Sequence, residues 1–401
     1  MVAAYALTAG YRVRGTVRSI QNKKKLEAIQ RLRGPNGETI EFMEAELDKE
    51  KGWKEAVENV QFILHVASPV PVDNPKDPEA EVIQPAIQGV LNVLKAAATP
   101  SSKVQRIVLT SSIAAVNEGR IDEWSNRKFN ENDWSNISNP SATSPYAISK
   151  TKAEQAAWNF MNNDYPQLQK SLGLSTIFDL VVINPGLIIG PPATDAAASS
   201  TIVYSRLFTR SMPAIPNLNF AAIDVRDVAK AHLRALIVPE AKNKRFILIN
   251  DNLALQTMAI DLAKEFDKQG YTIPEHSLPS FIVRLASYFD SALGIVAPML
   301  DKIPQLDNNL AKKILGFNKF YDLQESNIVT AYSLLARQIL PDKSTNKELS
   351  TIPEKFSQEL NTIQQRNYAL YYYTVGNSKK DDKNNFHPIQ AEELEWIRYR
   401  K

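Results

Sequence analysis

The residues with the clearest chemical potential are a tyrosine and a lysine four positions apart, Tyr146 and Lys150. The segment from Ala147 to Trp158 is rich in Ala, Lys, Glu and Gln, which predicts a helix. Residues four apart on a helix lie on the same face. An ammonium group beside a phenol favours the phenolate, so we expect Lys150 to lower the tyrosine pKa from about 10. Such a pair is suited to proton transfer to or from a substrate oxygen.

A serine pair upstream supplies a further polar group. Residues 107–109 form a short apolar run that is typical of a buried strand, and Ser111 and Ser112 follow it. A serine hydroxyl at the end of that strand can polarise the same substrate oxygen. Tyr-x-x-x-Lys alone is a weak signal, because chance pairs on surface helices are common. The strand with two serines before it, and the strand ending in Asn-Pro-Gly at 184–186 after it, favour the catalytic interpretation.

Composition and charge exclude several classes of function. Lys and Arg total 47 against 44 Asp and Glu, and the resulting net charge of +3 is spread evenly, which argues against a nucleic-acid-binding surface. The absence of cysteine excludes disulfides, thiolate catalysis and Cys-ligated zinc. The four histidines show no metal-ligand spacing, so no metal site is predicted. His65 lies within an apolar strand and is expected to be a core residue.

No membrane segment is predicted. Met1 to Leu7 is apolar but lacks the basic residues that begin a signal peptide. The longest apolar stretch, Phe281 to Leu300, is interrupted by Arg284 and Asp290, whereas a transmembrane helix needs about 20 apolar residues. We therefore expect a cytoplasmic protein, monomeric or homodimeric, that acts on a small molecule.

Strand and helix patterns alternate through the first half of the chain. Helical patterns at 82–98 and 149–162 separate near-continuous apolar strands, which predicts an α/β fold whose parallel sheet is covered on both faces. Gly10 occupies the position of a glycine that ends a first helix. The predicted strands are 12–16, 40–44, 62–66, 106–110, 179–183 and 245–249.

Several of these motifs, in this order and spacing, resemble the extended short-chain dehydrogenase/reductase family. The similarity is to its branch of dihydroflavonol reductases, cinnamoyl-CoA reductases and fungal aldehyde or ketone reductases, and it covers about residues 1 to 335. The resemblance implies a doubly wound, Rossmann-like sheet and NAD(P)-dependent chemistry. The matching stretches are Gly10 to Arg18, Leu64 to Pro69, Val108 to Ser112, Tyr146 to Lys150 with Ala153 to Ala156, and Asn184 to Gly186 with Gly190 and Pro191.

The resemblance also implies how the chain divides. Residues 1–190 correspond to the NAD(P)-binding domain, whose sheet is completed by 220–250. Residues 191–340 form a smaller substrate lobe with predicted helices at 258–266 and 281–293. Residues 341–401 are a polar linker and a tail without a family match. The tail carries apolar residues at Phe356, Leu360 and Ile363, and is interpreted as a solvated appendage or, alternatively, an interaction helix.

The chain departs from the family pattern at its beginning. A dinucleotide fold starts with a strand, a glycine-rich turn and a helix whose N-terminus holds the pyrophosphate. This sequence begins within that helix and contains no Gly-x-x-Gly-x-x-Gly. The sheet is therefore expected to lack its first, central strand, which leaves two neighbouring strands unpaired. The sequence suggests an N-terminally truncated form of a working reductase; the alternative is a genuine short product without activity.

Cofactor selection is predicted from the end of the first remaining strand. NAD-preferring folds carry an acid there, whereas an arginine suits the 2′-phosphate of NADP. Arg18 occupies this position and can fork onto a phosphate, and Lys25 lies where the family carries a second phosphate-contacting lysine. The alternative, for Lys23 to Lys25 and for Arg18 alike, is a solvated basic run. NADPH is therefore the predicted cofactor.

The remaining site residues follow from the resemblance. Ser112, rather than Ser111, aligns with the catalytic serine, Tyr146 protonates the substrate oxygen, and Lys150 also binds the ribose. Asn117 lies at a substrate-contact position, with a loop-cap role as the alternative. The expected cofactor contacts are Glu46 and Leu47 beside the adenine, Val66, Ala67 and Ser68 at the nicotinamide ribose, and Pro185, Gly186, Leu187 and Ile188 along the nicotinamide.

Three functions fit these residues. The first is an NADPH-dependent reductase of a hydrophobic or aromatic aldehyde or ketone. The second is a non-catalytic binding or regulatory remnant, which the missing glycine-rich loop motivates. The third is a nucleotide-sugar epimerase or dehydratase, since such enzymes use the same Ser and Tyr-x-x-x-Lys but hold NAD tightly.

Overall fold

The computed structural model describes residues 1–69, 75–139, 143–174, 177–192, 199–288 and 291–343. The predicted tail beyond Lys343 and the small-residue stretch at 193–198 lie outside the described residues. Within the described ranges, the side chains of Lys24, Lys25, Ala28, Ser199, Ser291, Ala292 and Ile295 are likewise not described.

Strands and helices alternate as the sequence predicts, and the six predicted strands are present with bounds that differ by at most two residues. The strands are β1 (Arg14–Val17), β2 (Glu41–Glu44), β3 (Phe62–His65), β4 (Arg106–Thr110), β5 (Lys128–Phe129), β6 (Asp179–Pro185), β7 (Leu187–Ile189), β8 (Ile215–Pro216), β9 (Asn219–Asp224), β10 (Arg245–Leu248), β11 (Asp251–Ala254), β12 (Ser277–Leu278) and β13 (Gln305–Leu306). The helices are α1 (Val2–Thr8), α2 (Lys23–Gln30), α3 (Trp53–Val57), α4 (Gln84–Ala97), α5 (Pro145–Asn159), α6 (Tyr165–Leu172), α7 (Ser199–Thr209), α8 (Val225–Ile237), α9 (Leu255–Phe266), α10 (Ser280–Ala286), α11 (Ser291–Val296), α12 (Asn309–Leu315) and α13 (Leu323–Ala336).

The centre of the molecule is a parallel sheet in the order β10-β6-β4-β3. Successive residues of a strand point to opposite faces, and here both faces are apolar. Ile107 and Leu180 pack on one face against helices α4 and α5. Val108 and Val181 pack on the other face against helices α8 and α12. Burial on both sides explains why these strands read as continuous apolar runs.

A second parallel pair, β1 with β2, stands apart from this sheet. Among the described residues, β1 pairs only with β2 and β3 pairs only with β4, so the interruption that the sequence predicts is present. Arg14 links the two sheets, because its guanidinium donates to the carbonyl of Glu58 at 2.8 Å, just before β3. Helix α1 packs against α8, and it ends before Gly10, whose φ of +83° suits glycine.

The second half of the chain builds a further hydrophobic core of its own. Strands β11, β9 and β7 form a three-stranded sheet that packs with α7, α9 and α13. The rings of Phe208, Phe266 and Tyr271 contact one another at this centre, with centroids 5.2 to 5.9 Å apart. Where the sequence predicted one helix over 281–293, the structure has two: α10 ends at Ala286 and α11 begins at Ser291. Across the described ranges, no helix has the length and apolar character that crossing a bilayer requires.

Candidate active site

The predicted catalytic residues meet at the carboxyl edge of the central sheet. Parallel strands end at the same edge, so β4 delivers Ser111 and Ser112 beside the segment that follows β6. Helix α5 starts at this edge, where Ser144 is its N-cap and its side chain accepts a hydrogen bond from the N–H of Ala147 at 3.1 Å. Tyr146 therefore lies in the first helical turn, at the end of the helix that faces the serines.

The Tyr146 phenol lies beside the Ser112 hydroxyl. A side-chain hydrogen bond from Ser112 lowers the pKa of the phenol, but burial raises that pKa more, and the carboxyl of Glu118 raises it further. The sequence predicted a lowered tyrosine pKa because it showed the lysine and not the degree of burial. The net direction is upward, which keeps Tyr146 protonated at neutral pH.

Lys150 lies one helical turn below Tyr146. Its Nζ atom is 5.8 Å from the centre of the Tyr146 ring and donates to the carbonyl of Thr110 at 3.4 Å. Burial lowers the pKa of Lys150 to about 8, and the carboxylate of Glu154 opposes that change. The lysine is therefore protonated at neutral pH and loses its proton only a little above it.

Behind the lysine, Thr110 connects to a buried histidine that sequence reasoning did not single out. The Nδ1 atom of His232 lies 2.7 Å from the carbonyl of Val228, so this nitrogen must carry the proton. The other ring nitrogen then accepts from the Thr110 hydroxyl at 2.6 Å. Burial lowers the pKa of His232 to about 4, so the ring is neutral and holds Thr110 in place for Lys150. Only the folded chain brings α8 next to β4, so no local pattern marks His232.

Glu118 is a second residue near the phenol that the sequence did not reveal. Its carboxylate accepts a hydrogen bond from the N–H of Ser144 at 2.8 Å, which ties the loop after β4 to the start of α5. Burial raises the pKa of Glu118. The hydrogen bond from Ser144 to Glu118 fixes the N-terminus of the helix that carries Tyr146.

Ser111, Ser112 and Asn117 differ in their hydrogen bonds. The Ser112 oxygen accepts from the N–H of Ala114 at 3.1 Å, while its own proton serves the hydrogen bond to the Tyr146 phenol. The Ser111 hydroxyl is buried without a partner in the described part of the chain. Asn117 is 2% exposed, and its backbone carbonyl accepts from the indole N–H of Trp124. Its side-chain amide nitrogen has no partner among the described residues.

Two of the predicted cofactor segments lie at the same edge. Residues 66–68 follow β3, and Val66 is 45% exposed although it is apolar. Pro185 ends β6, and Leu187 and Ile188 begin β7 while packing into different cores. Between them, a side chain at Gly186 would come within 2.2 Å of the Ala221 carbonyl, so only glycine allows this close approach.

The predicted adenine-side residues lie around the β1–β2 pair. Arg18 directly follows β1, is exposed, and forms no hydrogen bond or ion pair with any described residue. Lys25 is on α2, but its side chain lies outside the described part. Glu46 pairs with Lys49, and the Leu47 carbonyl accepts from Asn92. The structure does not bring these residues into contact with Ser112, Tyr146 or Lys150.

Comparison with known proteins identifies the family. Residues 1–249 match the NAD dependent epimerase/dehydratase family. An oxidoreductase of Schizosaccharomyces pombe is 32% identical over 84% of this chain and 93% of its own length. A dihydroflavonol 4-reductase of Arabidopsis thaliana is 29% identical over 87% of this chain and 82% of its own length.

Solved structures agree with these sequence relatives. The yeast methylglyoxal/isovaleraldehyde reductase Gre2, solved with NADPH, superposes with a TM-score of 0.66 at 27% identity, over 84% of this chain and 95% of its own. The chain shares the Rossmann-like α/β fold of these reductases. It belongs to the NAD dependent epimerase/dehydratase family and is an NAD(P)-dependent oxidoreductase.

Proposed function

We propose that this oxidoreductase uses NADPH to reduce the carbonyl group of a hydrophobic or aromatic aldehyde or ketone. The observation that carries the proposal is the meeting of Ser112, Tyr146 and Lys150 at one edge of the sheet. Two relatives support the choice of carbonyl substrates, namely the aldehyde reductase Gre2 and a cinnamoyl-CoA reductase of Medicago truncatula that is 35% identical over 57% of this chain and 66% of its own length.

The pKa values favour reduction as the direction of proton transfer. Tyr146 is protonated at neutral pH because burial raises its pKa, so it is ready to give a proton to a substrate oxygen. Lys150 is charged below a pKa of about 8 and stabilises the phenolate that remains. The Ser112 hydroxyl, which donates to the Tyr146 phenol in the absence of substrate, would turn its proton to the developing alkoxide. NADPH, when bound, supplies the hydride.

The residues present suit the two ends of the cofactor. Lys150 and Tyr146 would hold the nicotinamide ribose, and residues 66–68 and 185–188 would lie alongside. Gly186 has no side chain, which allows its close approach to the Ala221 carbonyl. Exposed Arg18 would hold the 2′-phosphate with Lys25, and Glu46 and Leu47 would lie beside the adenine. The chain carries no glycine-rich turn, so no residue is assigned to the pyrophosphate.

The site on the substrate side is assigned to Asn117. A buried amide nitrogen without a partner costs about 1–3 kcal/mol, so a ligand oxygen there would recover that cost. We expect the carbonyl substrate to be a small molecule. The cytoplasmic location, the monomeric or homodimeric state and the boundaries of the NAD(P)-binding domain and substrate lobe stay predictions from the sequence.

The test combines binding with turnover. Tryptophan fluorescence would follow titration with NADPH and with NADH, and absorbance would then follow NADPH oxidation with an aromatic aldehyde, a branched aliphatic aldehyde and an aliphatic ketone. We expect NADPH to bind more tightly and at least one aldehyde to be reduced. Tight NADPH binding with no oxidation by any substrate would favour the non-catalytic alternative, and NAD that copurifies with the chain would favour an epimerase or dehydratase.

A further inference from the structure

A charged residue lies buried directly beneath the catalytic lysine. Glu154 follows Lys150 by one turn of α5 and is 1% exposed. Its carboxylate accepts hydrogen bonds from the guanidinium of Arg245, the first residue of β10, and from the indole of Trp158 at 3.2 Å. The guanidinium stacks 3.8 Å from the centre of the Trp134 ring and donates to the Asp133 carbonyl at 2.7 Å.

The same carboxylate is connected to Ser112. The Asn184 side chain, at the end of β6, donates to Glu154 Oε2 at 2.8 Å and to the backbone carbonyl of Ser112 at 3.1 Å. Ser112 in turn contacts the Tyr146 phenol, and Tyr146 is on the same helix as Glu154. These contacts close a ring that joins the helix, β6 and the segment after β4. The ring fixes the distance between the serine and the helix that carries the tyrosine.

Stability alone does not account for a buried charge at this position. Replacing a buried ion pair by apolar residues is often neutral or stabilising, because the charges lose their hydration. The chain offers a direct comparison in Arg106, which pairs with Asp179 at 2.5 Å and donates to backbone carbonyls, with both side chains about a tenth exposed. That pair lies where β4 and β6 begin, at the sheet edge opposite the catalytic residues.

We propose that Glu154 and Asn184 are positioning residues of the Ser112–Tyr146–Lys150 site, which hold Ser112 against the phenol and keep a positive charge on Lys150. Their importance for catalysis rests on the proposed function. Their effects on the position of Ser112 and on the charge of Lys150 do not. Glu154 acts through its charge, and Asn184 acts through the Ser112 backbone.

Of the groups around Lys150, Glu154 supplies the negative charge that favours the protonated lysine. On α5, Tyr146 is protonated at neutral pH. On β3, burial first and Lys150 second lower the pKa of His65 to about 4, so His65 is neutral near the lysine's own pKa. From β10, Arg245 is positive but is bonded to Glu154. A negative charge beside an ammonium raises its pKa, so its loss must let burial lower the pKa of Lys150 further.

The experiment reads both effects by NMR in the full chain, without cofactor. Lysine and tyrosine side chains would be labelled with carbon-13, and the Lys150 and Tyr146 signals assigned from Lys150→Arg and Tyr146→Phe. In Glu154→Gln, we expect the Lys150 pKa to fall by about 1 or more. In Asn184→Ala, we expect the Tyr146 pKa to rise, because the Ser112 hydrogen bond that lowers it is weakened. Asp179→Asn, the matched control, should move neither.

The outcomes are separable. An unchanged Lys150 pKa in Glu154→Gln, or the same change in Asp179→Asn, overturns the role of Glu154. An unchanged Tyr146 pKa in Asn184→Ala overturns the role of Asn184. Asn184→Ala leaves no unpaired buried charge, so it keeps the test open if Glu154→Gln does not fold. If the parent reduces a carbonyl, kcat should fall about tenfold in both variants and stay unchanged in the control. An inactive parent would refute the proposed function, and the titration results would still test the two positioning roles.

Discussion

The central sheet and the β1–β2 pair are both parallel, but β10 and β6 of the central sheet are far more deeply buried than β1 and β2. Every residue of β10, and six of the seven in β6, is buried. In β1 and β2, by contrast, every residue is half-buried or exposed. The difference follows from neighbours: β6 has a strand on each side and helices on both faces, whereas β1 has one strand partner among the described residues.

The difference in burial matches a division of labour. Ser112, Tyr146 and Lys150 depend on the buried sheet, whose packing fixes their positions and shifts their pKa values. Arg18, proposed to select the cofactor, follows the open pair and keeps its charge in water. Under the proposed function, the chemistry that needs fixed geometry would use the packed region, and recognition of the 2′-phosphate would use the exposed one.

The largest effect is expected at the packed site. Tyr146→Phe should reduce kcat by about 10²–10⁴-fold, the usual contribution of a general acid, while the NADPH dissociation constant changes little. Steady-state rates and fluorescence titration would measure the two quantities. Tyr11→Phe is the control, because Tyr11 lies near the beginning of β3 and not at the catalytic edge. A Tyr146→Phe variant within about threefold of the parent would contradict the assignment.

Truncating one phenylalanine in each region would compare their packing directly. Phe246 on β10 is fully buried, so Phe246→Ala should lower the free energy of unfolding by about 3–5 kcal/mol. Phe42 on β2 is only half-buried, so Phe42→Ala should cost less than half as much. Denaturant unfolding of both variants gives the comparison. Equal losses would mean that the strand pair is as tightly integrated as the sheet.

Much of the fold was predictable because its signals are local. Apolar runs marked the strands of the central sheet, and Gly10 marked a helix end with positive φ. The separation of β1 and β3 was also expected from the sequence, and among the described residues the two strands do not pair. The helix predicted over 281–293 was wrong as a single element: α10 ends at Ala286 and α11 begins at Ser291, a division that apolar spacing does not show.

The proximity of the candidate site residues could be predicted from the sequence, whereas their pKa shifts could not. Tyr146 and Lys150 are four apart in sequence, so their proximity needed no tertiary structure. The direction of the Tyr146 pKa depends on burial, and the neighbours of Lys150 include His65 on another strand. Likewise, the bond from Thr110 to His232 joins residues 122 apart. Such contacts form only when the chain folds, so they cannot be predicted from residue spacing.

Lys150 provides a test of burial through pH. Its folded-state pKa is about 8, below the ordinary 10.5, so the unfolded chain binds more protons between those values and stability rises with pH there. Below about 8 the full cost of burying the charge is present, roughly 3 kcal/mol at about 1.4 kcal/mol per pKa unit. Lys150→Met should therefore stabilise the protein at pH 7 and lose most of that advantage by pH 10.5.

Denaturant unfolding of parent and Lys150→Met at both pH values gives the required double difference. The control is Lys152→Met, because Lys152 is more exposed and pairs with Glu79 at the surface. An advantage of Lys150→Met that stays constant across the pH range would show that the lysine is not deprotonated in the folded protein near pH 8.

The smallest effect is expected at the exposed pair, where a charge acts through water. Arg18→Ala should weaken NADPH binding about tenfold to a hundredfold, since a charge-assisted hydrogen bond contributes about 1.5–3 kcal/mol, and should leave NADH binding nearly unchanged because NADH lacks the 2′-phosphate. The loss should shrink as salt rises, because exposed charges are screened. Arg12→Ala is the matched control, an exposed arginine at the other end of β1. Titrations of both cofactors at two ionic strengths decide the matter: equal losses for NADPH and NADH would mean that Arg18 supports the strand pair and does not read the phosphate.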